Sequence, residues 1–170
     1  MKKALVVIDM QNDYLYEKRK NRFNYNTAEL VSNVNELIHQ YNEENCDVIY
    51  IRHIIQNFPT NRLLFGYSIA GTEGAELYSK LDVVSNLCFD KLLGDALTNK
   101  KLLNLIKEKG YEVLHLCGLD ECGCVTSTAL GAVKRGIKAE IVRKGTASVF
   151  SKKKITKAHK KLDEAGVKFI

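Results

Sequence analysis

The chain alternates short, continuously apolar runs with longer stretches whose apolar positions recur every three or four residues. Ala4–Ile8 (ALVVI) is wholly apolar and stops at Asp9, which predicts a strand buried on both faces. Over Thr27–Glu44, the residues Leu30, Val31, Val34, Leu37, Ile38 and Tyr41 share one helical face. Val48–Ile51 and Leu87–Phe89 predict the second and third strands. Between them lie an irregular stretch over 54–72, with the only proline, Pro59, and a short helix over Ala75–Leu81. Lys100–Lys109 reads as a helix stopped by Gly110, Val113–Cys117 as the fourth strand, and Val125–Arg135 as a helix ended by Gly136. Ala139–Val142 is the fifth strand. Ile155, Ala158, Leu162 and Ala165 mark an amphipathic helix, and Val167–Ile170 closes the pattern. Strands alternating with helices imply parallel pairing, and unbroken apolar strands imply a sheet covered on both sides. The expectation is one three-layer α/β/α domain over residues 1–170, with no internal repeat or linker.

Composition narrows the classes. At 170 residues, 45% hydrophobic and 27% charged, the chain can bury about two-thirds of its unfolded surface without metal or disulfide staples. No apolar run approaches the ~20 residues of a membrane span, and Ala4–Ile8 is too short for a signal-peptide core. A cytoplasmic protein is expected. The net charge of +6 invites a nucleic-acid partner, but residues 151–170 hold seven lysines against Asp163 and Glu164, and the rest is nearly balanced. No arginine or aromatic residue interleaves the lysines of that helix, so it reads as a solvated face. Five cysteines (46, 88, 117, 122 and 124) imply reduced thiols, and their spacing does not match a structural zinc site. Cys46, Cys88 and Cys117 read as small buried thiols.

Ligands of open parallel sheets bind beyond the carboxyl ends of the strands, so the residues after Ile8, Ile51, Phe89 and Cys117 are the places to look. Asp9 follows the first strand, where desolvation suits a carboxylate to proton transfer; capping of loop amides is the alternative. Asp13 reads as a local loop-former. After the fourth strand, Gly118 to Val125 leads into a helix, and Cys124 sits where helical spacing begins. A cysteine there meets unpaired amides and the positive end of the dipole, which favour thiolate, and the same amides suit an oxyanion; a small buried thiol is the alternative. Lys91 follows the third strand, where a cation would stabilise both anions, but a lone lysine reads by itself as an ordinary surface residue.

Taken together, these motifs resemble the isochorismatase-like superfamily of cysteine hydrolases, which includes nicotinamidases and carbamoylsarcosine amidases. The similarity runs through Asp9-Met10-Gln11-Asn12-Asp13-Tyr14, Gly71-Thr72-Glu73-Gly74-Ala75-Glu76-Leu77, Lys91 ahead of Asp95-Ala96-Leu97, and Gly118 to Val125. It implies a six-stranded parallel sheet in the order 3-2-1-4-5-6 and a catalytic Asp9–Lys91–Cys124 triad. It also implies an oxyanion hole from the Asp120 and Cys124 amides, a cis Leu119–Asp120 peptide, a Tyr14 that stacks on substrate, and a homo-oligomer. Metal-using members carry an Asp-x-His after the second strand and a later His; here the positions hold Arg52-His53 and Tyr67. No metal or other cofactor is therefore expected. Leu97, Lys100 and Lys144 are further departures, and Arg52, His53 and Arg62 are placed at the pocket rim.

The reading that results is a metal-independent hydrolase of a small amide or carbamoyl compound, with Asp9 as base, Cys124 as nucleophile and Lys91 as electrostatic stabiliser. Two alternatives come from other classes: a non-catalytic binding relative, and a thiol-redox protein using Cys122 and Cys124.

Overall fold

In the computed structural model, which describes residues 1–170, the apolar runs become six strands. They are β1 (Lys3–Ile8), β2 (Asp47–His53), β3 (Cys88–Lys91), β4 (Val113–Gly118), β5 (Lys138–Thr146) and β6 (Lys168–Phe169). All pair in parallel in the order β3-β2-β1-β4-β5-β6, as expected. The helices are α1 (Asn12–Leu15), α2 (Thr27–Glu43), α3 (Pro59–Leu64), α4 (Lys100–Lys109), α5 (Thr126–Lys134) and α6 (Lys152–Glu164).

The side-chain alternation of β1 divides the core. Ala4, Val6 and Ile8 join a cluster with Leu102 and Ile106 of α4, Ala129 and Ala132 of α5, and Leu162 of α6. Leu5 and Val7 face the other way, onto Leu30, Val31, Val34, Leu37, Ile38 and Tyr41 of α2, the very stripe the spacing marks. Every residue from Ala4 to Ile8 is at most 1% exposed, and each large side chain so buried contributes roughly 1.5–3 kcal/mol. Gly110 ends α4 in the left-handed conformation that a C-terminal glycine supplies. On α6 the buried residues are Ala158 and Leu162, and its lysines face solvent. No helix is long and apolar enough to cross a membrane.

Several local expectations are corrected. No helix covers Ala75–Leu81; a single 3-10 turn, Glu73–Ala75, stands there. The backbone beyond it is committed elsewhere, with Asn12 N–H donating to Glu76 O and Tyr78 N–H to Met10 O. Within 54–72, α3 forms with Pro59 in its first turn, but Leu63 and Leu64 are exposed, so no apolar stripe announces it. Cys88 is exposed because β3 is an edge strand, and Cys46 is only half-buried. Finally, every peptide bond is trans, Leu119–Asp120 included. Gly118 turns the chain instead, at φ +101°, and a Cβ there would lie 2.1 Å from Ile8 O.

Candidate active site

β1 ends in a sharp turn. Asp9 takes φ +54° while its N–H still donates to Ile51 O of β2 at 2.9 Å, so the carboxylate leaves the sheet between neighbouring strands. The residues after it tie down the loop opposite. Buried Gln11 donates to His53 O and Ala75 O and accepts from His53 N–H at 2.7 Å. Asn12 donates to Glu73 O, and Asp13 Oδ2 accepts from Ser68 N–H at 2.7 Å. Asp13 is thus a long-range clamp, not a local loop-former. The motif serves two ends: it presents Asp9 and holds residues 66–79 over the sheet.

Asp9, Lys91 and Cys124 come together. Lys91 Nζ donates to Asp9 Oδ2 at 2.8 Å and to Cys124 Sγ at 3.1 Å, and its side chain is fully buried. Asp9 Oδ1 is buried with no hydrogen-bond partner. Burial opposes the Lys91 ammonium, but Asp9 and Cys124 outweigh it and hold the group above the ordinary lysine range. Cys124 differs from expectation. It lies inside a π-turn, Glu121–Val125, ahead of α5. Burial, then the Asp9 charge, push its thiol up to about 12, against a smaller opposing pull from Lys91. The resting sulfur keeps its proton beside a carboxylate oxygen that has a free lone pair. Labelling checks this. Near pH 7, iodoacetamide should modify Cys124 more slowly than a free thiol of pKa ~8.5. Its rate should climb about tenfold per pH unit on the alkaline side, read by peptide mass mapping. Fast, pH-independent labelling would reveal a preformed thiolate.

A pocket of about 390 Å³ opens above these groups, walled by Tyr14, Phe23, Tyr25, Tyr67, Val149 and Phe150. Tyr14 lines it as expected, edge-on to Phe23 with centroids 4.8 Å apart. Its hydroxyl is fixed between Ser68 Oγ at 2.8 Å and His53 Nδ1 at 3.1 Å. His53 Nε2 meets Leu92 O at 3.0 Å, and a carbonyl only accepts, so the proton is assigned to Nε2 and Nδ1 accepts from Tyr14. Burial, then Lys91, lower the His53 pKa, so the ring is neutral. Of the three residues placed at the rim, His53 alone lines this pocket. Arg52 pairs with Asp90 and Glu76 at the sheet edge, and Arg62 bonds Asn57.

Asp120, expected for its amide, proves to be an organiser through its side chain. It accepts from Cys122 N–H and Ser148 at Oδ1, and from Tyr25 and Val149 N–H at Oδ2, all within 2.8–3.0 Å. Its own N–H makes no protein hydrogen bond, and Asp120 is among the residues bordering the pocket. Sequence reasoning missed Arg22, Phe23, Tyr25, Val149 and Phe150, which come from irregular segments without periodicity, and placed Tyr67 only as the residue standing where metal-using members carry a His. The metal set of the metal-using relatives does not fit here: both His53 nitrogens are engaged, Arg52 is a cation in an ion pair, and Tyr67 replaces the later His. Cys122 faces away from the pocket, grouped with Glu121 and His159.

Residues 3–170 match the isochorismatase domain family. The chain is 25% identical over 149 residues to the isochorismatase family protein YddQ of Bacillus subtilis (strain 168), covering 87% of this chain and 79% of that one. Among solved structures, nicotinamidase PncA from Bacillus subtilis superposes with a TM-score of 0.84 at 25% identity, over 99% of this chain and 98% of that one. N-carbamoylsarcosine amidase from Thermoplasma acidophilum superposes with a TM-score of 0.82 at 21% identity, over 99% and 95%.

Proposed function

Because the chain belongs to the isochorismatase family of hydrolases, we propose that it hydrolyses a small amide or carbamoyl compound through a Cys124 thioester, without a metal. The observation that carries the proposal is Lys91 Nζ bridging Asp9 Oδ2 and Cys124 Sγ beneath an aromatic-walled pocket. The nicotinamidase similarity supports the reaction class, and the missing ligand set argues for a different substrate.

The chemistry follows from the proton inventory. Lys91 occupies Asp9 Oδ2, which leaves Oδ1 to take the Cys124 proton as the substrate carbonyl arrives. The sulfur then attacks the carbonyl carbon. The Asp120 and Cys124 amides donate to the oxyanion that forms, a contribution of about 3–4 kcal/mol per donor in comparable sites. Collapse breaks the C–N bond, and protonated Asp9 returns the proton to the departing ammonia or amine. Asp9 next deprotonates a water, which attacks the thioester and restores the thiol. Lys91 stays protonated throughout and offsets the negative charge passing between Asp9 and sulfur. Tyr14, Phe23 and Tyr67 wall the pocket, with the Arg22 guanidinium laid over the Phe23 and Tyr67 rings at 4.9 and 4.5 Å, so aromatic surface and a cation meet an incoming substrate, an aromatic contact being worth ~1 kcal/mol beyond burial.

The test is ammonia release from a panel of small amides and carbamoyl compounds by chelator-treated protein. Turnover of at least one class, unchanged by the chelator, is expected. Loss of activity on chelation, restored by zinc or iron, would overturn the metal-free reading.

A further inference from the structure

On the far side of the nucleophile turn, three side chains that the proposed reaction does not use converge. One ligand atom each from Glu121, Cys122 and His159 lies within 4.8 Å of the others. They come from two elements: Glu121 and Cys122 from the π-turn, His159 from the middle of α6. His159 Nε2 already meets Glu121 Oε1 at 2.7 Å, and neither residue lines the pocket. The carboxylate is 13% exposed and the imidazole 33%, so the group is recessed but open on one side.

We propose that Glu121, Cys122 and His159 form a binding site for a thiophilic divalent cation of the Zn²⁺ class, separate from the pocket. Sulfur, imidazole nitrogen and carboxylate oxygen are the donors that such an ion selects, and three protein ligands leave a fourth tetrahedral position for water. The nitrogen and oxygen donors are nearly in place, while the sulfur, within 4.8 Å of them, has to close by up to about 1.2 Å to reach the ~3.6 Å spacing of a tetrahedral site. Two ligands at ~2.0–2.1 Å from a tetrahedral ion stand roughly 3.3 Å apart, so the 2.7 Å His159–Glu121 contact has to open by only about half an ångström. Outer contacts that orient ligands are also in place. Glu121 Oε2 accepts from Thr146 at 2.7 Å, and Glu121 N–H donates to Ala147 O, which fixes the carboxylate and its backbone. Asp120 and Glu121 place carboxylates on the two residues before Cys122. The nearest lysines of α6, at 157, 160 and 161, are solvent-exposed.

The balance of binding is simple. Cys122 loses its thiol proton to solvent as sulfur bonds the ion, and His159 Nε2, the donor to Glu121 Oε1 in the ion-free site, sheds its proton to ligate while the neutral ring regains one on Nδ1 by exchange with solvent. About one proton is released per ion. The bound ion joins α6 to the turn two residues before Cys124, outside the pocket.

The experiment uses the intact chain, stripped of metal and kept reduced, with Zn²⁺ titrated against a chromophoric chelator and Co²⁺ as the spectroscopic probe. One equivalent should bind, with a thiolate-to-cobalt charge-transfer band and a melting temperature that rises with Zn²⁺ concentration. Cys122→Ser should lose the band, and His159→Gln, which keeps a hydrogen bond to Glu121, should weaken binding at least about tenfold. Cys124→Ser and Cys88→Ser should retain both. Wild-type affinity in Cys122→Ser and His159→Gln, or loss of the band in Cys124→Ser, would overturn the assignment. Because the readouts are binding and melting, they stand whether or not the amide hydrolysis proposed above is found.

Discussion

Cys124→Ser should lower kcat/KM on any amide substrate by at least about 10³-fold while Cys122→Ser changes it by no more than a few fold. The asymmetry follows from where each sulfur sits. Cys124 Sγ accepts from Lys91 Nζ and borders the pocket, whereas Cys122 groups with Glu121 and His159 behind the turn. A serine hydroxyl at 124 holds its proton far more tightly than a thiol, so Asp9 cannot generate the nucleophile. Asp9→Asn should cost about 10²–10⁴-fold, the usual worth of a positioned general base. Since base and nucleophile act in one step, Asp9→Asn with Cys124→Ser should be scarcely worse than the poorer single variant. Steady-state kinetics on the substrate found by ammonia release would give all four values, with melting temperatures to confirm folding. Activity retained in Cys124→Ser and lost in Cys122→Ser would move the nucleophile and dismantle the proposed triad.

Asp9 and Cys124 were legible in the sequence for a physical reason. β1 is buried on both faces and reads as an apolar run that stops at Asp9, and the helical spacing that begins after Cys124 marks the turn beyond β4, whose own run is broken by His115. Lys91 was not legible in that way. β3 is a four-residue edge strand with Cys88 and Asp90 exposed, and only the family resemblance singled the lysine out. The pocket walls other than Tyr14 and Tyr67 left no trace, because Tyr25 meets Asp120 across 95 residues of chain and no local period encodes that contact. The state of the sulfur was misjudged for a related reason. Helix position suggested thiolate, yet the larger influences are burial and a carboxylate that arrives from another strand. Short-range pattern located the groups; long-range packing set their protonation.

Lys91→Met should be among the most destabilising single substitutions in the chain, at about 3–5 kcal/mol. The Asp9–Lys91 pair is all but fully buried, with side-chain exposures of 3% and 0%. Removing the cation leaves a carboxylate whose Oδ1 already lacks a partner and whose Oδ2 loses its one ionic bond. The loss is therefore dominated by an uncompensated buried charge, not by the worth of the pair itself. Asp9→Asn in the Lys91→Met background removes that charge, so the double variant should recover part of the lost stability, a coupling that urea denaturation can read. The pH dependence separates this account from simple loss of packing. Lys91 is held above its ordinary value in the folded state, so its contribution is fully present below about pH 10.4 and fades as pH rises through the folded value. Buried tyrosines such as Tyr50, held near 12, also weaken the fold in alkali, but they do so equally in both proteins. The stability difference between wild type and Lys91→Met should accordingly stay level from pH 7 to 10 and shrink above that. A difference that is small at pH 7, or unchanged through the alkaline range, would show that Lys91 does not hold Asp9 as a buried ion pair.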